Sequence, residues 1–273
     1  MAITVSGIFV YPVKALGGIS LAESIVTPRG LKHDRRFLVV TADNEFVTQR
    51  EYPKMATVWV ELKGGTITFS APDIESVSFP ADPQASATRV VRVWASQVAA
   101  QAVSLEADRW LSDYLGFDAH LVYMPDSSER AVNPEYGMPG DIVSFADGSP
   151  LLIASEESLA DLNARIVHAG GAALPMNRFR PNVVIKGCEA FAEDRLGEIR
   201  IGDTTFRAAK PCPRCEVTTT DQAAGVVRGP EPLQTLATYR DSPKGIMFGV
   251  NLIPVGGGSM RVGDTVVLAP GGA

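Results

Sequence analysis

Two cysteines three positions apart, Cys212 and Cys215, lie in the segment Pro211-Cys212-Pro213-Arg214-Cys215. A thiolate becomes a good nucleophile or soft metal ligand when its pKa is lowered, and nearby cations lower it. Lys210 and Arg214 are adjacent in sequence. The C-x-x-C spacing admits three readings. A structural zinc site needs about four ligands, and outside this pair the chain offers only Cys188, His33, His120 and His168, with no second close pair. A thioredoxin-like redox pair opens a helix, whereas Glu216-Val217-Thr218-Thr219-Thr220 reads as a strand-like run. The third reading is a pair of inert buried thiols, and the motif alone leaves all three open.

Cations supply the second kind of chemistry. Asn177-Arg178-Phe179-Arg180-Pro181-Asn182 leads into the apolar run Val183-Val184-Ile185. Pro181 biases Arg180 toward an extended backbone, and an arginine at the mouth of a strand can aim its planar fork at an anion. Lys14, in Tyr11-Pro12-Val13-Lys14, and Arg35, in Asp34-Arg35-Arg36, offer similar charges. For each taken alone, a surface ion pair with a carboxylate is the commoner fate. The chain carries no G-x-x-x-x-G-K-[ST] phosphate loop, no G-x-G-x-x-G after a strand and no G-x-S-x-G elbow. No histidine sits in a recognisable general-base motif.

Elements that position these groups are mostly strands. Alternating patterns run over Ile3 to Val10, Val58 to Leu62, Thr66 to Phe69, Arg89 to Trp94, Glu198 to Ile201 and Met260 to Leu268. Turn signals separate them: Lys63-Gly64-Gly65, Gly202-Asp203 and Val255-Gly256-Gly257-Gly258. Helices are expected from Glu106 to Leu115, from Ser155 to the stop at Gly170-Gly171, and after Pro232 as first helical residue. Ala71 to Ser86 and Met124 to Gly140 read as loops. No internal repeat is visible. Many short strands with few helices suggest a barrel with helical covers.

Composition sets the outer limits. A chain of 273 residues suffices for one large domain or two modest ones. The net charge of −6 argues against nucleic acid, whose binding needs a broad basic face, but a few local cations can still hold a small anion. No apolar run is long enough for a membrane helix. The first residues begin as a strand without the charged and apolar regions of a signal peptide. Three cysteines do not make a disulfide framework, so a cytoplasmic, reducing location is expected.

Taken in order, the scattered pieces resemble one family. Tyr11-Pro12-Val13-Lys14, Gly30-Leu31-Lys32-His33-Asp34-Arg35-Arg36-Phe37 and Thr48-Gln49-Arg50 are similar to the N-terminal region that accompanies MOSC domains. Ser155-Glu156-Glu157-Ser158-Leu159-Ala160-Asp161-Leu162-Asn163, Phe179-Arg180-Pro181-Asn182 and Pro213-Arg214-Cys215 with Thr218-Thr219 resemble the MOSC domain itself. Pro232-Leu233-Gln234-Thr235-Leu236, Phe248-Gly249 and Val262-Gly263-Asp264 carry the likeness nearly to the end. The resemblance is to the mitochondrial amidoxime-reducing component and its bacterial relatives.

That resemblance implies an α+β fold: a mainly β MOSC barrel with packed helices and an inserted α/β subdomain. Residues 1–35 would supply barrel strands, 36–120 the insertion and 121–273 the MOSC domain. It implies molybdenum-molybdopterin as cofactor, with no need for pyridoxal phosphate. The metal ligand would be Cys215, not Cys212. Lys14, Arg35 and Arg180 would hold the pterin phosphate, with Asn182 beside them and Ser149 as a polar contact. Arg214 and Asn251 would border the site, Asn251 standing where the family has a tyrosine. Ala15 replaces the family's serine after the lysine. The implied activity is reduction of small N-hydroxylated compounds with electrons from a separate ferredoxin-, cytochrome b5- or flavin reductase-like protein. The alternative is a cofactor carrier or sulfur-handling module without turnover. Relatives with a membrane anchor or a C-terminal iron–sulfur domain differ from this chain, which is expected to have neither.

Overall fold

The computed structural model describes residues 2–84 and 87–268. The expected segment ends at Met1 and Ala273, and the last part of the 71–86 loop, lie outside the described residues. Strand predominates, as alternation in the sequence implied, and the fold is mainly β with helices packed on it.

The largest sheet rolls up. Thr4–Val10 pairs antiparallel with Val183–Lys186, which runs parallel to Leu151–Ser155. Next come Met247–Val255, Thr204–Pro213, Glu198–Ile201 and Val266–Leu268, each antiparallel to its neighbour. The last strand returns to the first: Thr4 bridges Thr265, and Val266 N–H donates to Ile3 O at 2.9 Å. Closure removes the open edges that would invite aggregation. Inward residues such as Ile8, Ile153, Val183, Ile199, Phe206 and Leu252 form its core.

A second body lies between the first strand and the rest of the barrel. Phe37–Thr41, Ala119–Tyr123, Ser96–Ala102 and Thr88–Val93 form an antiparallel sheet in that order. Trp59–Lys63, Thr66–Ala71 and Ile74–Pro80 form another. The helix Leu105–Leu115 packs on them through Trp110 and Leu111. Ser104 caps it by accepting from Glu106 and Ala107 N–H, and Gly116 ends it at φ 85°.

Two sequence expectations need correction. The stretch 71–86 is not all loop, because Ile74–Pro80 is a strand. It pairs on one side only, and an edge strand tolerates the Pro, Ser and Glu that masked it. Met260 to Leu268 is not one strand either. Gly258–Arg261 pairs with Glu23–Thr27, and a turn at Val262-Gly263-Asp264 precedes Val266–Leu268. The turn-and-switch lets one short segment serve two sheets.

The helix Glu156–His168 follows directly on the barrel strand Leu151–Ser155. Ser155 Oγ accepts from Ser158 N–H, and the buried Glu193 carboxylate accepts from both serine hydroxyls. Leu162 and Ile166 of this helix pack beside Phe179 and Phe248, whose rings stack at 3.9 Å. Gly249 has φ 73°, and a Cβ there would lie 2.7 Å from Ile153 O, so close strand packing requires the glycine of Phe248-Gly249. These motif residues build the floor beneath the site.

Candidate functional site

One cleft gathers the eight residues that the family resemblance assigned to the site. Lys14, Arg35, Ser149, Arg180, Asn182, Arg214, Cys215 and Asn251 all line it. They come from widely separated segments. Lys14 and Arg35 lie on loops flanking the first strands, Ser149 lies two residues before Leu151–Ser155, and Asn251 lies in Met247–Val255 opposite Leu152 and Lys210. Its side-chain amide makes no hydrogen bond among the described residues.

Arg35 and Arg180 approach the ring of Tyr11, with guanidinium carbons 4.3 and 4.2 Å from its centroid. Both residues have left-handed backbones, at φ 47° and 54°. The extended conformation expected for Arg180 before Pro181 is therefore not found. Such strain costs on the order of 1–3 kcal/mol and persists where surroundings over-determine it. Here they do: Tyr11 OH donates to Pro181 O, Tyr11 N–H donates to Asp34, and Arg35 pairs with Asp34 at 2.8 Å. Asn182 is 1% exposed and spends its amide on structure. Its Oδ1 accepts from Arg35 Nη1 and Leu152 N–H, and its Nδ2 donates to Phe9 O. Asn182 thus positions Arg35, while it still lines the cleft with one Nδ2 hydrogen unspent.

The electrostatics are one-sided. Among the described residues, five cations line the cleft (Lys14, Arg35, Arg50, Arg180, Arg214) against a single carboxylate, Asp147. Burial lowers Arg180 to about 10, Tyr11 opposing and Arg35 adding to the shift. Burial likewise lowers Lys14, despite its ion pair with Asp147. Although desolvation opposes it, Lys14, then Arg50 and Arg35, hold the Asp147 carboxyl below the usual range. Ser149 Oγ, Arg180 Nη2 and Arg214 Nε are buried without a hydrogen-bond partner among the described residues. Unsatisfied buried donors are rare in native proteins. Donors and crowded cations facing one cleft suit a multiply charged anion.

The cysteines differ from what adjacency suggested. Arg214 turns to Cys212, donating to its Sγ at 3.0 Å and to Phe179 O at 2.7 Å. Lys210 lies over the Tyr136 ring. The cation on Cys215 is Arg50, whose Nη2 lies 3.2 Å from Sγ. The run after Cys215 is mostly not a strand but a short 3-10 helix, Glu216–Thr219, with Cys215 at its N-cap position and only Thr220 entering a strand. Thr218 Oγ1 donates to Cys215 O and Thr219 Oγ1 to Glu216 O, so hydroxyls that read as β-formers instead lock this turn. Cys188 stays apart. Its thiol faces Glu157, and burial first, then that carboxylate, push it up to about 11.

Three cleft residues, and one that supports them from behind, escaped the sequence reading or entered it only as motif letters: Gln49, Arg50 and Asp147, with Gln222 as the support. Gln49 and Gln222 exchange amide hydrogen bonds, and Gln222 Oε1 also accepts from Arg180 Nη1. The Thr48-Gln49-Arg50 motif was the available signal for two of them. Asp147 and Gln222 carried none.

The fold and the cleft can be set beside known proteins. Residues 2–118 match the MOSC N-terminal beta barrel domain, and residues 140–267 match the MOSC domain. Mitochondrial amidoxime reducing component 2 of Rattus norvegicus is 32% identical over 96% of this chain and 82% of its own length. Mitochondrial amidoxime-reducing component 1 of Homo sapiens is 32% identical over 97% and 82%, and component 2 of Bos taurus 33% over 96% and 82%. The chain belongs to the amidoxime-reducing-component family of MOSC proteins. In this member of the family, Ala15 lines the cleft beside Lys14 and Asn251 lies across from Leu152. No helix among the described residues is long and apolar enough to cross a membrane.

Proposed function

We propose that this MOSC protein binds molybdenum-molybdopterin and reduces small N-hydroxylated compounds. The observation that carries the reading is the convergence of Cys215, five cations and three unpartnered buried polar atoms on one cleft. The residues fit the group: a dianionic phosphate would relieve the repulsion among Lys14, Arg35 and Arg180, and charge-assisted hydrogen bonds to phosphate are the strong kind. Ser149 Oγ is a further donor, and Asn182 keeps Arg35 aimed. Cys215 would ligate the metal as thiolate, with Arg50 offsetting its charge. Asn251 and Arg214 would border the reacting centre.

Bound there, the molybdenum would supply two-electron exchange at the substrate's N–O bond. The net change is R–NH–OH plus two electrons and two protons to R–NH2 plus water. The chain would contribute anion binding, ligand orientation and a positively charged wall, while the cofactor carries the redox step. Electrons would come from a separate donor of the ferredoxin, cytochrome b5 or flavin reductase kind. Residues 1–35 and 121–273 would form the cofactor-binding barrel, and 36–120 an inserted subdomain that reaches the cleft with Gln49 and Arg50. Three free cysteines favour a reducing compartment such as the cytoplasm.

Metal and pterin analysis of protein made in a cofactor-competent host tests this. About one molybdenum per chain is expected for a single thiolate site. Stoichiometric zinc without molybdenum would overturn the reading. A carrier without turnover would bind the cofactor yet fail to reduce any N-hydroxylated compound with an artificial electron donor.

A further inference from the structure

Trp94 lies at the tip of the hairpin that joins Thr88–Val93 to Ser96–Ala102, with Ala95 completing a two-residue turn. Its φ is 56°. Tight hairpins that need a positive φ at the first turn position normally place glycine there, and a bulky residue in that conformation is strained. The ring remains 43% exposed, so apolar burial does not account for the choice. What surrounds it is the cleft wall. The Arg50 guanidinium lies 5.0 Å from the ring, the Phe46 ring 4.9 Å away, and the indole N–H donates to Asp147 Oδ1 at 3.3 Å. Strained backbone of this kind concentrates at ligand clamps.

Asp147 is the lone carboxylate among the described cleft-lining residues, and its side chain is 66% exposed. Oδ1 takes both Lys14 Nζ and the Trp94 indole N–H. Oδ2 has no hydrogen bond among the described residues. A carboxylate this exposed beside a cationic cleft would repel an anionic substrate and accept hydrogen bonds from a donor-bearing one. Beside it stands a flat aromatic group.

We propose that Trp94 and Asp147 form a specificity lip for the reaction above, selecting flat head groups that present N–H donors next to the reacting nitrogen. Asp147 Oδ2 accepts from the substrate N–H, and the Trp94 indole packs against its plane. N–O compounds without such a donor keep only the aromatic contact. The inference rests on the reductase reading for the identity of the reaction, but its binding component stands apart from turnover.

Benzamidinium is the probe for binding, titrated calorimetrically into the cofactor-loaded protein. Asp147→Asn keeps the shape and the acceptor for Lys14 while removing the charge. It should weaken benzamidinium about tenfold, the scale of one charged hydrogen bond. In turnover, rates being taken per molybdenum, Asp147→Asn should raise KM for benzamidoxime by about the same factor. For pyridine N-oxide, flat but donor-free, KM (or its inhibition constant against benzamidoxime) should stay unchanged. Trp94→Ala should weaken both. Unchanged benzamidinium affinity in Asp147→Asn, or equal loss with both substrates, would overturn the lip. If the wild-type protein reduces neither compound, the reductase reading fails, while the benzamidinium titration still decides the lip.

Discussion

Arg50 Nη2 lies 3.2 Å from Cys215 Sγ, although 165 positions separate the two residues. The arginine comes from the loop after Phe37–Thr41 and the cysteine from the turn after Thr204–Pro213. Docking the N-terminal body on the barrel therefore completes the charge environment of the thiol. Arg50 also spans the cleft wall, meeting Trp94 on one side and Glu216 at 3.9 Å on the other.

Cys212 also lines the cleft and has an arginine of its own, Arg214 at 3.0 Å, so the choice of Cys215 as ligand rests on the family pattern and is open to test. Cys215→Ser should abolish turnover and alter the visible spectrum of the loaded protein while the fold survives. Cys212→Ser should keep most activity, since a hydroxyl can still accept from Arg214. Metal content, absorption and reduction rate measured side by side decide it. A dead Cys212→Ser with an active Cys215→Ser would reverse the ligand assignment.

Cofactor retention should follow the cleft cations. Arg180→Ala removes the unpartnered Nη2, and Lys14→Ala removes the charge nearest Asp147. Each should weaken retention by about 1.5–3 kcal/mol, the worth of a charged hydrogen bond. The readout is molybdenum per chain after extended dialysis, with circular dichroism to show that the fold persists. Full retention in both variants would place the phosphate elsewhere.

Asn182 should matter first for stability. Asn182→Leu strands Leu152 N–H and one donor of Arg35 inside the barrel. The expected loss is about 3 kcal/mol, or roughly 6–12 °C in Tm for a chain of this size. Thermal unfolding of the cofactor-free protein measures it. A wild-type Tm would mean that water takes over these bonds.

Cys188 gives a pH dependence with a definite sign. Its thiol is pushed up to about 11 by burial and by Glu157, so at pH 8 only about one part in a thousand is thiolate. Alkylation by iodoacetamide should therefore stay negligible at pH 8 and rise steeply toward pH 11. Glu157→Gln should move the rise to lower pH. Peptide mass spectrometry reads the modified fraction directly, and rapid labelling at pH 8 in the wild-type protein would contradict the assignment.

The electron source is testable on the whole protein. No dinucleotide fingerprint occurs in the chain. NADH alone should drive no reduction of a hydroxylamine-type substrate, and an added reductase or artificial donor should restore it. Efficient NADH-driven turnover by the pure chain would refute a separate partner.

Much was legible in the sequence because it is written locally. Alternation marks strands, Ser104 and Ser155 mark helix starts, and paired glycines mark turns, all through interactions within a few residues. Spaced motifs named Lys14, Arg35, Arg180 and Cys215 as one set, since shared short patterns survive without knowledge of contacts. Other features depended on long-range packing. Arg180 adopts φ 54° despite Pro181 because Tyr11 and Arg35 hold it there. Thr218 and Thr219 favour strand by propensity, yet their hydroxyls find backbone carbonyls one turn back and form a 3-10 helix. Adjacency made Arg214 the natural partner of Cys215, but successive side chains diverge, and Arg50 arrives from another body instead. Trp94 and Asp147 meet across 53 positions with no pattern in either neighbourhood. The sequence by itself determined the strand-rich architecture and the chemical types available to the cleft. Which cation meets which sulfur, and which carboxylate guards the entrance, only the tertiary structure decided, because those pairings join residues of loops on different sheets that are far apart in the chain.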